Sequence, residues 1–103
     1  MFPARHYTAA FDREQGFTAA EWCALLPRAV APHALQLSPA AGAATVALPG
    51  GQLRLHWQAL PPRAIALMRM PRLAVQYRFD GVADDARVRF MQRFDLVTQR
   101  GGG

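Results

Sequence analysis

The spacing of apolar residues along this chain switches between helical and strand periods, and each switch marks an element. Trp22, Cys23 and Leu26 recur at helical spacing just after Thr18 and Glu21, the T-x-x-E pair whose side chains satisfy each other's backbone donors at a helix start. Phe17 before the cap and Trp22 within the helix are spaced as a hydrophobic staple, so the sequence predicts a helix over 17–26. Pro27 is expected to end or kink it, because its ring disfavours helical geometry at Leu26. Upstream, residues 4–11 are expected to form a short strand, although their alternation is poor.

Strand periods dominate the middle of the chain. Residues 34–37 read as a short strand, and 38–42, with Pro39 and Gly42, as a loop. A hairpin follows. With Gly50 and Gly51 as its two-residue turn, Leu48 falls opposite Leu53, Val46 opposite Leu55 and Ala44 opposite Trp57, so the large apolar side chains share one face. Thr45 and Ala47 then lie across from His56 and Arg54 on the polar face. After a break at Pro61 and Pro62, residues 64–79 continue the sheet, with Leu73, Val75, Tyr77 and Phe79 inward and Arg72, Gln76 and Arg78 outward. Ile65 and Leu67 share one parity while Ala66, Met68 and Met70 share the other, which predicts a segment covered on both sides. Met70 and Pro71 form a turn, with cis-Pro71 among its forms, or Pro71 marks a bulge in one long strand.

A second helix is signalled by Gly81, by Asp84 and Asp85 near the positive end of its dipole, and by a run without Gly or Pro to Arg100. Ala83, Ala86, Phe90, Met91, Phe94 and Val97 form its apolar stripe, with Arg89, Gln92, Arg93 and Arg100 on a more exposed side. The order predicts an α+β fold, an antiparallel sheet of about four to five strands with two helices packed on one face. Residues 1–100 are expected to form a single domain, and 101–103 a flexible tail.

Composition changes how charge is to be read. All twelve basic residues are Arg; the chain has no Lys or Asn, a single isoleucine and twenty Ala. That is the imprint of GC-rich coding, so the net charge of +5 points to acidic partners without identifying one. Placement has to carry the reading. The lone Cys23 excludes an intrachain disulfide, and the first residues lack the apolar stretch of a secretory signal, so a cytoplasmic setting is expected. No stretch is long and apolar enough to span a bilayer, so no membrane partner is expected.

Candidate chemistry concentrates on the outer sheet face. Arg54, Arg72 and Arg78, joined by Arg69 and His56 and flanked by Gln52 and Gln76, form the candidate surface for an anion or nucleic acid. If the second hairpin turns at Met70 and Pro71, Arg69 stands opposite Arg72, a like-charged pair that an anionic partner would relieve. The alternative is a solvated face carrying the genome's preferred cation. An RNA-recognition sheet is disfavoured by parity, because Trp57, Tyr77 and Phe79 face the core and leave no stacking platform outside. The helical Arg stripe reads as a solvated face in which Asp85 pairs with Arg89. Cys23 reads as a core thiol, His6, His33 and His56 lack ligand spacing, and Ser38 before Pro39 lacks a nucleophile context. No catalytic residue, metal site or cofactor is expected.

PPRAIALMRMPRLAVQYRFDG, followed by FMQRFDLVTQRGGG, resembles a group of short uncharacterised proteins from GC-rich proteobacteria, over roughly the last half of the chain. The resemblance implies a bacterial cytoplasmic setting and transfers no site residue. The expected function is non-enzymatic binding of an anionic partner, an acidic protein or nucleic acid. The alternatives are a protein–protein interaction domain with a solvated basic face and, less favoured, a small enzyme. Because Ile65 and Leu67 would form an apolar strip on the outer face, the N-terminal segment with Phe2, Tyr7 and Phe11 is expected to cover it. A closed monomer is thereby favoured over a dimer, since apposing two Arg-rich faces brings like charges together.

Overall fold

The computed structural model describes residues 7–102, with side chains through residue 99. In chain order the elements are β1 (Ala10–Gln15), α1 (Ala19–Val30), β2 (Leu35–Ser38), β3 (Ala43–Leu48), β4 (Gly51–Ile65), β5 (Met68–Asp80) and α2 (Asp84–Gly102). The strands form one five-stranded antiparallel sheet in the order β1-β5-β4-β3-β2, and the helices pack on one face of it. This is the α+β architecture that the periods predict. No helix among the described residues is long and apolar enough to cross a membrane.

Helix α1 starts where the capping box places it. Thr18 Oγ1 accepts from the Glu21 amide at 3.1 Å and Glu21 Oε1 accepts from the Thr18 amide at 2.8 Å, with the Phe17 and Trp22 rings 5.8 Å apart as the staple. Pro27 does not end the helix, which continues to Val30. Burial of Ala29 and Val30 beyond the proline offsets the lost backbone bond. Trp22 and Leu26 are buried as expected, while Cys23 is half-buried.

The first hairpin turns one residue earlier than the glycine pair implied. Leu48 pairs with Gly51, so Pro49 and Gly50 form the turn, Gly50 at φ 84°. Proline before a positive-φ glycine is the type II arrangement. Val46 therefore pairs with Leu53, Ala44 with Leu55 and Thr45 with Arg54, a register two residues from the expected one. A shift of two preserves parity, so every side chain keeps its expected face.

The N-terminal strand lies at 10–15 rather than 4–11, and the first three positions of the expected strand, 4–6, lie outside the described residues. Its weak pattern has a cause: Phe11, Arg13 and Gln15 point toward the helices, and two of these three are polar. Phe11 stacks on Tyr77 at 4.7 Å, and Gln15 Nε2 donates to Tyr77 Oη at 2.8 Å. Arg13 donates to both oxygens of buried Asp95 on α2, at 2.6 and 3.2 Å, and Tyr7 Oη donates to the same carboxylate at 2.7 Å. Burial and the adjacent Asp95 push the Tyr7 hydroxyl well above its ordinary value. The Arg13 guanidinium also lies over the Tyr7, Phe11 and Tyr77 rings, so one residue joins the edge strand to the helix layer.

The largest departure from expectation is the second hairpin. Met70–Pro71 is not a turn, and Pro71 lies at a bulge within a long hairpin; β4 and β5 run on to Ile65 and Met68, and Ala66–Leu67 makes the turn, with Ala66 at φ 54°. Pro61 and Pro62 do not break the strand. Leu60 pairs with Arg72 and Arg63 with Met70, so both prolines face Pro71 alone, a bulge in β4. Among the described residues the cis X-Pro bond is Ala31–Pro32, not one at Pro71. Because β3 stops pairing at His56 and β1 at Leu73, the end of this hairpin is a two-stranded arm, reaching about 20 Å beyond the sheet at the rise of an extended strand. The segment expected to be covered on both sides is exposed on both.

In α2, Phe90, Met91 and Phe94 are buried and Ala86 and Val97 partly so, whereas Ala83 lies before the helix and is exposed. The helix runs into the glycines expected to form a tail, since nothing in residues 84–100 stops it. Trp57, Tyr77 and Phe79 are core, as parity required.

Candidate functional site

The outer face is the side of the sheet away from both helices. Its centre is built by two alternate rungs of β4 and β5, neighbours on this face: Arg54 opposite Arg78 and His56 opposite Gln76. Thr45 stands beside Arg54 on β3, and Ala43 and small neighbours leave a shallow depression of about 300 Å³ between these side chains. Thus Arg54, His56 and Arg78 of the expected set come together. Like charges directly opposite are unfavourable, and the fold relieves them with its own carboxylates. Arg54 Nε donates to Asp80 at 2.9 Å, and Arg78 Nη1 donates to Asp12 at 3.0 Å and to the Phe11 and Tyr77 carbonyls.

These contacts use part of each fork. Nη1 and Nη2 of Arg54, and Nε and Nη2 of Arg78, meet no acceptor among the described residues. Both ion pairs are also well exposed, at side-chain exposures of 58% and 54% for Arg54 and Asp80 and 37% and 66% for Arg78 and Asp12. Exposed pairs of this kind are worth about 0–1 kcal/mol, so a phosphate or carboxylate competes with them on similar terms.

Arg72 and Arg69 lie elsewhere. Arg72 is on the outer face at the base of the arm, where Glu14 of β1 accepts from it at 2.6 and 3.0 Å and the Pro61 carbonyl at 3.1 Å. Hydrogen bonds from Arg72 hold the Glu14 carboxyl below its ordinary value, and Arg63 adds a contact at 3.5 Å. Arg69 pairs with Ala64 inside the arm, not with Arg72, and the expected like-charged pair does not form. Gln52 lies opposite Asp80, at the other end of the face.

The sequence missed two features. One is the set of carboxylates on β1: Asp12 and Glu14 alternate with inward Arg13, a pattern legible only once Arg13 is known to be inward. The other is a cleft of about 170 Å³ between the helices and the first hairpin, where Phe90 forms an apolar wall beside His33, Arg89 and Arg93. Arg89 keeps its expected pair with Asp85 at 3.3 Å. Burial raises the Cys23 thiol, the opposite of what activates a nucleophile.

Among the described residues of the expected N-terminal cover, neither Tyr7 nor Phe11 lies over the apolar strip. Tyr7 is buried in the core and Phe11 faces inward on β1; Phe2 lies outside the described residues. The strip itself differs too: past the bulge Ile65 shares a face with Met68 and Met70, while Leu67 sits in the turn. Compared with protein-family models, curated proteins and solved structures, the chain matches none.

Proposed function

We propose that this protein is a non-enzymatic binding module whose outer sheet face holds a phosphate-bearing partner, with nucleic acid as the partner class. One observation carries the reading: Arg54 and Arg78 stand directly opposite on the face away from the helices, each with donors that none of the described residues accepts. His56 and Gln76 on the next rung of that face add donors to the same depression. Asp12 and Asp80 act as internal competitors, which keeps affinity low and salt-sensitive.

The test is a titration of RNA, single-stranded DNA and duplex DNA at two salt concentrations. Two phosphate contacts require log K to fall against log salt with a slope of about −1.8 on duplex. Asp80→Asn and Asp12→Asn tighten binding by removing the competitors, and Arg54→Ala weakens it. Absence of binding at low salt, or binding indifferent to all three substitutions, refutes the reading. That every outer-face Arg named here has a carboxylate partner favours a second reading, a protein interaction domain whose basic face is simply solvated.

A further inference from the structure

The β4–β5 arm is the least explained part of the molecule. Leu67 at its tip is 101% exposed, Met68 64%, Ile65 53% and Met70 42%, large apolar side chains with no cover among the described residues. Ala66 holds a positive φ that glycine or asparagine usually takes, so the turn keeps an apolar tip at some backbone strain.

Three observations narrow what meets this tip. First, the edges of the arm are poor sites for adding a strand. The Phe79 amide donates to Ala9 and the Trp57 amide to Gly42, and alternation along each strand then turns the Pro71 and Pro61 nitrogens to the two outward edges, where neither has a hydrogen to donate. Second, a second copy is an electrostatic mismatch. The arm carries Arg63, Arg69 and Arg72 and no acidic residue, and the apolar cleft elsewhere on the molecule is rimmed by Arg89 and Arg93. Third, the arm is layered. Arg63 and Arg69 sit on consecutive rungs, paired with Met70 and Ala64, and therefore project from opposite faces of the ribbon, about 7–13 Å behind Leu67 at the strand rise.

From this layering we infer that the arm is a peripheral anchor for an anionic phospholipid surface: Leu67, Met68 and Ile65 enter the acyl boundary while Arg63 and Arg69 meet headgroup phosphates. Interfacial segments bury apolar side chains about 5–10 Å deep, which matches the separation of tip and collar. A fluid apolar medium takes several side chains together, here Leu67 in the turn with Ile65 and Met68 on one face, whereas a wedge between base pairs takes one. Arg69 has no carboxylate partner among the described residues, and Arg63 only a distant one at 3.5 Å, so both are available to phosphate. The anchor needs no spanning helix, and it lies far along the sheet from Arg54 and Arg78, so it goes beyond the nucleic-acid reading and does not depend on it.

The full chain is sedimented with vesicles of equal parts phosphatidylcholine and phosphatidylglycerol, with phosphatidylcholine vesicles, and with duplex DNA as a competitor. Binding to the anionic vesicles and little to the neutral ones is expected. Leu67→Glu lowers the vesicle-bound fraction about tenfold or more without altering the circular dichroism, Arg63→Ala with Arg69→Ala weakens it, and Arg54→Ala leaves it unchanged. Leu67→Trp gives a blue-shifted emission on anionic vesicles. No binding to anionic vesicles overturns the proposal, as does binding that Leu67→Glu leaves intact, since that is surface charge alone. Leu67-dependent binding to duplex DNA in place of vesicles overturns it in favour of a nucleic-acid wedge.

Discussion

Removing the Asp95 carboxylate tests how the edge strand is held to the helix layer. Asp95 has 3% of its side chain exposed and accepts three hydrogen bonds, one from Tyr7 and two from Arg13, whose own side chain is 29% exposed. Asp95→Ala leaves a fully buried tyrosine hydroxyl without this acceptor and a guanidinium without its counter-charge. Breaking a buried pair from one side costs about 3–5 kcal/mol, and water reaching Arg13 recovers part, so about 3 kcal/mol is expected. For a chain of this size that is a fall in Tm of about 12–24 °C. Arg13→Met alone should cost a similar amount, because it strands the carboxylate. Asp95→Ala with Arg13→Met removes both charges from among the Phe11, Tyr7 and Tyr77 rings and should cost clearly less than the sum. Urea titration of the four proteins, with unchanged m-values, gives the coupling, expected at about 2 kcal/mol or more. A coupling below about 0.5 kcal/mol would mean that the pair is solvated and that β1 is held by its ladder alone.

Three further outcomes follow from the packing and the charges. Gly51→Ala places a Cβ 1.7 Å from the Asp80 carbonyl oxygen, so the hairpin must shift; a loss of about 2 kcal/mol or more is expected in urea titration, and a neutral result would contradict the β4–β5 register. Glu14 is held below its ordinary value by Arg72, so its pairing contributes above the unfolded carboxylate value and is lost as pH falls below about 4, through the folded value. A carboxyl resonance for Glu14 that titrates low in the native protein and returns to the ordinary range in Arg72→Ala checks this. Cys23, its thiol raised by burial, should be alkylated by iodoacetamide near pH 8 more slowly than free cysteine; an equal or faster rate would show an activated thiol.

What the sequence determined by itself was local or periodic. Thr18 and Glu21 cap α1 because a capping box needs only residues three apart, and Asp85 meets Arg89 because a helical turn brings them together. Parity assigned Leu53, Leu55, Trp57, Val75, Tyr77 and Phe79 to the core, and it survived a register two residues from the expected one because side chains in a strand repeat every second residue. Tertiary structure decided everything that depends on distant partners. The arm was illegible because Ala66 and Leu67 carry no turn signal, and because only the pairing of β4 with β5 shows that Pro61 and Pro62 face Pro71 as a bulge. The outer face was legible as a set of arginines but not as a set of ion pairs: Asp12 and Glu14 reach Arg78 and Arg72 only because inward Arg13 finds Asp95, 82 residues away in the chain. A charge's partner is fixed by where the chain folds back, and no local period encodes that.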